Sequence, residues 1–237
     1  MRAKRILNSA KLVALVAVPL SACSRGGPET AYASSASSST SRKAAATQSG
    51  TVPMAKGTAL RLVLASGGNA ARYRVRERLV GHDFPNDAVG ETKILSGAIS
   101  IDSAGKVIRD ASKFTLDAGS FVSDKDRRDG FVRGRLLEAD NYPTITLVPT
   151  EVRGVKLPLP KSGSAPIEMI ADLTVHGVTR PTIWKGTVQF VNGGVSGTES
   201  TALTFDDLQL EQPRVPVLLS VADTIRLEIN FNLVQER

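Results

Sequence analysis

Two histidines are the only histidines of this 237-residue chain, and they stand far apart: His82 in Gly81-His82-Asp83-Phe84-Pro85, and His176 in Val175-His176-Gly177. A zinc-type site needs His or Cys at short, regular spacing. The sequence has no H-x-x-x-H and no C-x-x-C, and Cys23 is its one cysteine. Serine nucleophiles of the elbow type need G-x-S-x-G, which is absent. Asp206-Asp207 and the Asp124/Asp126 pair read as loop charges without an adjacent base, and Asp110 near a strand start is equally uninformative. No glycine-rich loop opens a helix, so there is no phosphate cradle. Catalytic residues, metal ligands and cofactors are therefore not expected. His176 reads as a turn residue hydrogen-bonded to nearby backbone.

The elements that would position any site are strands. Leu60, Leu62 and Leu64 alternate with other residues, and Ser66-Gly67-Gly68-Asn69 then reads as a turn. Tyr73, Val75 and Leu79 face one way while Arg72, Arg74, Arg76 and Arg78 face the other, an arginine row on a solvated exterior with acidic neighbours. Leu95, Gly97, Ile99 and Ile101 form the next row, followed by a hairpin signal at Asp102-Ser103-Ala104-Gly105. Phe114 and Leu116 continue the pattern; Ile145 and Leu147 resume it after an interruption. Met169, Leu173, Trp184, Val188, Phe190, Leu203 and Phe205 extend it, and Ile225 to Leu233 alternates most cleanly. About eight alternating strands with short turns and no long amphipathic helix fit an all-β, antiparallel barrel, with a sandwich as the rival from pattern alone.

The interruption, Asp126 to Leu147 (DRRDGFVRGRLLEADNYPTITL), is the most informative stretch. A charged cluster and Phe131 give way at Asn141-Tyr142-Pro143 to the alternating Thr144-Ile145-Thr146-Leu147. Pro143 biases Tyr142 away from helix, so a short helical lid is delivered by a turn onto a sheet edge. This run resembles the YceI-like family, which carries RD-x-x-hydrophobic followed by YPT and an alternating strand. Asp172 to Pro181, a strand running into His176-Gly177-Val178-Thr179-Arg180-Pro181, resembles the family's HGVTRP turn. The resemblance covers roughly residues 58 to 236 and departs at Gly130, where the family often has a larger polar residue. It implies an eight-stranded lipocalin-like β-barrel that holds a long isoprenoid-like lipid, a quinone or polyprenyl chain. It also implies export; members are often dimers, which leaves the oligomeric state open with a homodimer as one form.

Inward apolar rows are what such a ligand needs, because each buried CH₂ contributes about 0.8 kcal/mol without polar contact. The lining candidates are Tyr73, Val75, Phe114, Leu116, Phe131 and Tyr142, together with Ile145, Leu147, Met169, Leu173, Trp184 and Phe205. Phe131 and Tyr142 lead because they flank the lid. Arg127, Arg128 and Arg180 are head-group candidates, through charge-assisted hydrogen bonds to a quinone oxygen or a pyrophosphate.

The first residues read as a targeting signal. Arg2, Lys4, Arg5 and Lys11 precede an apolar run, Leu12 to Leu20, too short for a span of about 20 residues. Leu20-Ser21-Ala22-Cys23 looks like a bacterial lipobox, which implies cleavage after residue 22 and a lipid on Cys23. Residues 23–56, rich in Ser and Ala, read as a disordered tether, and 57–237 as the barrel domain. Leader and tether hold eight of the 30 basic and one of the 23 acidic residues, which leaves 22 of each in the domain. The excess of positive charge therefore says nothing about nucleic acid. The expected function is an exported lipid carrier or buffer, lipid-anchored to the membrane on its extracytoplasmic side. The alternative is a surface-displayed, stress-protective or interaction module whose barrel its own side chains fill. A lipid hydrolase or isomerase ranks last for want of a convergent catalytic group.

Overall fold

The computed structural model describes residues 57–236; the leader, the tether and Cys23 lie outside the described residues. Ten strands follow one another: β1 Thr58–Leu64, β2 Ala70–Leu79, β3 Asn86–Thr92, β4 Leu95–Asp102, β5 Lys113–Asp117, β6 Thr144–Arg153, β7 Gly163–Val175, β8 Val178–Val191, β9 Gly194–Thr204 and β10 Leu218–Gln235. One helix, α1 (Asp126–Phe131), lies between β5 and β6 and runs on into a π-turn, Val132–Leu136.

The ring runs β1-β4-β5-β6-β7-β8-β9-β10, and pairing of β1 with β10 closes it. The 18-residue β10 is long enough to carry two partners on one edge: Ile229 faces Ala71 of β2, and Leu233 faces Leu64 of β1. β3 pairs β2 just as β4 pairs β1. β1/β2 and β3/β4 are thus two broken strands, and the barrel has eight positions in simple up-and-down order, with every neighbour antiparallel. This is the eight-stranded architecture that the alternation and the resemblance imply.

One local expectation is corrected. Ser66–Asn69 does not reverse the chain; it bulges out between β1 and β2, which continue in the same direction along β10. The Asn69 side chain bridges the gap, accepting from Asn232 N–H at 2.7 Å and donating to the Ala65 carbonyl at 2.7 Å. The chain reversal at His176-Gly177 is a two-residue hairpin between the Val175–Val178 pair, with φ of +49° and +76°. Positive φ at both positions suits the right-handed twist of the flanking strands.

Alternation along each strand sends one set of side chains inside, where they form two apolar clusters. Leu60, Leu62, Ile99, Ile101, Val188, Phe190 and Val195 fill one end, covered by Val155, Leu157 and Leu159 of the β6–β7 loop. Leu116, Leu147, Leu173, Trp184 and Ile225 line the other end, together with Val132 and Leu137 beneath α1 and Phe205, Leu208 and Leu210 of the β9–β10 connection. All strands and both clusters lie within 58–235, so this segment supplies its own core and closes its own sheet.

Candidate functional site

The second cluster is hollow. A cavity of about 680 Å³ occupies the barrel beneath α1 and the β9–β10 connection. Its wall is apolar: Tyr73 and Val75 from β2, Leu116 from β5, Ile145 and Leu147 from β6, Leu173 from β7 and Trp184 from β8, with Leu227 and Ile229 from β10. Trp184 is held by its indole N–H, which donates to Thr182 Oγ1 at 2.8 Å, so its ring presents carbon to the cavity. A smaller chamber of about 100 Å³ lies deeper, among Phe114, Ile99, Ile167 and Met169. Ala71, Leu116, Leu147 and Ile229 line both, forming a waist between them.

At the mouth, one buried ion pair locks α1 to the sheet. Glu77 continues the inward face of β2 after Tyr73 and Val75. Its carboxylate accepts from Arg128 Nη2 at 2.7 Å and from Asn86 Nδ2 at 3.1 Å. Arg128 also binds Asp124. Burial works against the Arg128 charge, but its bonds to Asp124 and Glu77 outweigh that and hold it above its ordinary pKa. Asp129, buried on the other side of α1, accepts from Ser123 N–H at 2.8 Å and Ser123 Oγ at 2.6 Å. The Arg128-Asp129 pair is therefore a clamp for the lid. Tyr73 sits behind it, its ring 5.7 Å from that of Phe121. Burial, and less strongly the nearby acids, push its phenol up to about 12, so it stays neutral.

A family model of the YceI-like domain matches residues 69–233. The chain belongs to the YceI-like family. Among solved structures, one similar chain is described as a polyisoprenoid binding domain from Saccharophagus degradans implicated in plant cell wall breakdown. It has a TM-score of 0.58 and 17% identity, over 75% of this chain and 99% of that one. BcnA of Burkholderia cenocepacia aligns with a TM-score of 0.50 and 15% identity, over 69% of this chain and 95% of that one. No curated protein matches.

Within this YceI-like barrel, most of the residues singled out from sequence face one interior. Tyr73, Val75, Leu116, Phe131, Ile145, Leu147, Leu173, Trp184 and Phe205 line the large cavity, and Phe114 and Met169 the small chamber. Arg127 and Arg128 stand at the mouth. Two do not fit. Tyr142 shares the outward parity of Thr144 and is 39% exposed. Its ring packs against His176 on the outside, with centroids 4.4 Å apart. Arg180 shares the inward parity of Trp184 but stands at the start of β8, outside the cavity lining, its Nε donating to the Asp207 carbonyl of the β9–β10 connection at 2.6 Å. Arg128, though at the mouth, already has two carboxylate partners, which leaves Arg127 as the exposed guanidinium there. His176 Nε2 lies 3.3 Å from Glu138 Oε1, off the line of a hydrogen bond and without the backbone partner expected of it. Among the described residues, no three His, Cys, Asp or Glu side chains group as metal ligands.

The sequence reading missed Leu208, Leu210 and Val215, which line the cavity from the β9–β10 connection and carry no period to betray them. It also missed Glu77 and Glu199. Both sit at inward parity, two residues from an apolar inward neighbour or four from Leu203, and that parity was the available signal.

Proposed function

We propose that this protein is an exported, membrane-tethered carrier or buffer that holds a long isoprenoid-like lipid, a quinone or polyprenyl chain, inside its barrel. The observation that carries this reading is the apolar cavity of about 680 Å³. Small-molecule pockets run from roughly 300 to 1,000 Å³. Protein interiors are otherwise packed to crystal density, with few voids larger than a water molecule. A barrel filled by its own side chains would not leave such a space, which argues against the interaction-module alternative. The relative described as a polyisoprenoid binding domain supports the choice of ligand class.

The mouth suits exchange with a membrane. Val80 and Val217 line the cavity and are also exposed at its rim, and Phe84 in the β2–β3 turn is 81% exposed. On this side the apolar wall thus runs from the interior to the surface, beside the charged groups of α1, which supports loading from a membrane held near by a Cys23 lipid anchor. Exposed Arg127 at the same rim is the group placed to meet an anionic or oxygen-bearing head as it enters.

Mass spectrometry of an organic extract tests this. Residues 57–237, purified without detergent, should release one polyprenyl or quinone molecule per barrel. A folded barrel that releases no lipid and takes up no added isoprenoid would return the account to the module without a ligand.

A further inference from the structure

Glu199 is the polar side chain that the lipid cavity does not explain. It lies in mid-strand on β9, at the inward parity of Val195 and Leu203, and is 3% exposed. Its carboxyl lines the inner chamber, where every other lining residue is apolar. Among the described residues no side chain or backbone group hydrogen-bonds to it, and no cation pairs with it. Its cross-strand neighbours are Gly186 of β8 and Ile229 of β10, with Ala71 of β2 beyond. The remaining inward side chains around it are Trp184 and Val188 of β8, Leu227 and Phe231 of β10, Leu147 of β6 and Ile167 and Met169 of β7. None of these titrates. Tyr73, the next inward residue on β2, stays neutral. Burial alone pushes the Glu199 carboxyl up to about 7.

A buried carboxyl without a partner is costly, and such groups are rare unless something completes them. Water is a poor candidate, because a buried water needs two to four polar partners and this chamber offers one. The bound chain itself is the remaining source. We propose that Glu199 anchors the inner end of the ligand, so that this barrel selects a chain ending in a hydroxyl or carbonyl oxygen over a plain hydrocarbon. The proposal rests on the lipid-cavity reading and adds to it the chemistry of the inner end. A protonated carboxyl donates to a carbonyl or hydroxyl oxygen and accepts from a hydroxyl hydrogen. The chamber of about 100 Å³ holds only a small terminal group. A phosphate or pyrophosphate would place a second anion in the same dry space.

Delipidated residues 57–237, a segment with its own core and closed sheet, are incubated with geranylgeraniol or with the hydrocarbon of the same carbon skeleton. Bound ligand is counted by native mass spectrometry about two pH units below and above 7. The wild type should prefer the alcohol by roughly three- to tenfold at the lower pH, one hydrogen bond's worth. The preference should be at least as large at the higher pH, where the alcohol hydroxyl donates to the carboxylate. Glu199→Gln should keep the preference at both pH values, and Glu199→Leu should lose it while taking up the hydrocarbon at least as well. Equal binding of the two probes by the wild type, or an unchanged preference in Glu199→Leu, would overturn the anchor and leave the lipid cavity standing. Uptake of neither probe would overturn both.

Discussion

Arg128 was singled out from sequence as a head-group ligand, and its environment gives it a structural task. It ties α1 to Glu77 on the inner face of β2, where both side chains are largely buried. Removing one partner of a buried pair leaves the other charge stranded, at a cost of about 3 kcal/mol. Arg128→Ala should therefore lower stability by that order in chemical denaturation and loosen α1, seen as faster amide exchange over 126–136. Arg127→Ala, at an exposed neighbour, should do neither. Glu199 carries the opposite problem, a charge site with no partner. Its folded pKa of about 7 lies above the ordinary 4.5, so the proton is held more tightly in the folded state. That contribution is fully present below about 4.5 and is lost as pH rises through 7, by on the order of 3 kcal/mol in total. Unfolding free energies measured from about pH 5 to 8 should fall for the wild type relative to Glu199→Gln; parallel curves would place the carboxyl in water. Both glutamates could have been found by parity, since Glu77 interrupts Tyr73-Val75-x-Leu79 and Glu199 precedes Leu203 by an even number. A charged residue in an otherwise apolar inward row is the sign to look for.

At the scale of elements, the strands with strict alternation were readable. β10 shows its inward face, from Ile225 to Leu233, in sequence as in structure, and β7 and β8 do so through Met169, Leu173 and Trp184. The breaks were not. Ser66–Asn69 carries turn residues, and only the cross-strand register with β10 reveals a bulge within one barrel position. The β9–β10 connection has no period, because its Leu208 and Leu210 are buried by local loop geometry and not by a pleat. Close approach between strands is likewise invisible to pattern. Gly186 faces Glu199 across β8 and β9, and an added Cβ would run into the Thr198 carbonyl and lie 2.8 Å from the Glu199 Cα. Neither is a flexible group, so Gly186→Ala should cost roughly 2 kcal/mol and lower Tm by about 5 °C. Gly130→Ala in α1 is the matched control: nothing lies within 4 Å of its added Cβ, and the change should be neutral or slightly stabilising. Equal losses in the two variants would mean that the β8–β9 spacing is not what Gly186 sets.

For the whole molecule, alternation alone leaves a barrel and a sandwich open, and it is the family resemblance that points to a closed barrel with room for a lipid. An eight-stranded barrel can fill itself or enclose one small ligand, and strand tilt, stagger and side-chain size decide between them together. Here the decision is spatial. Val188, Phe190 and Leu62 close one end around a chamber of only about 100 Å³, while Ala71 at the waist leaves the way open to it from the large cavity. Ala71 therefore gives the most direct test of the central claim, that the interior is a site for a chain and not unused space. Ala71→Phe would set a ring in the waist without touching the mouth or the lid. The lipid extracted from wild-type and Ala71→Phe protein, each purified without detergent, should be compared by mass spectrometry for amount and chain length. The account predicts about one isoprenoid-like molecule per wild-type barrel, and a shorter or absent chain in the variant, with Tm within a few degrees. Identical lipid in identical amount from both proteins would show that the chain does not pass the waist, and no lipid from either would contradict the account at its root.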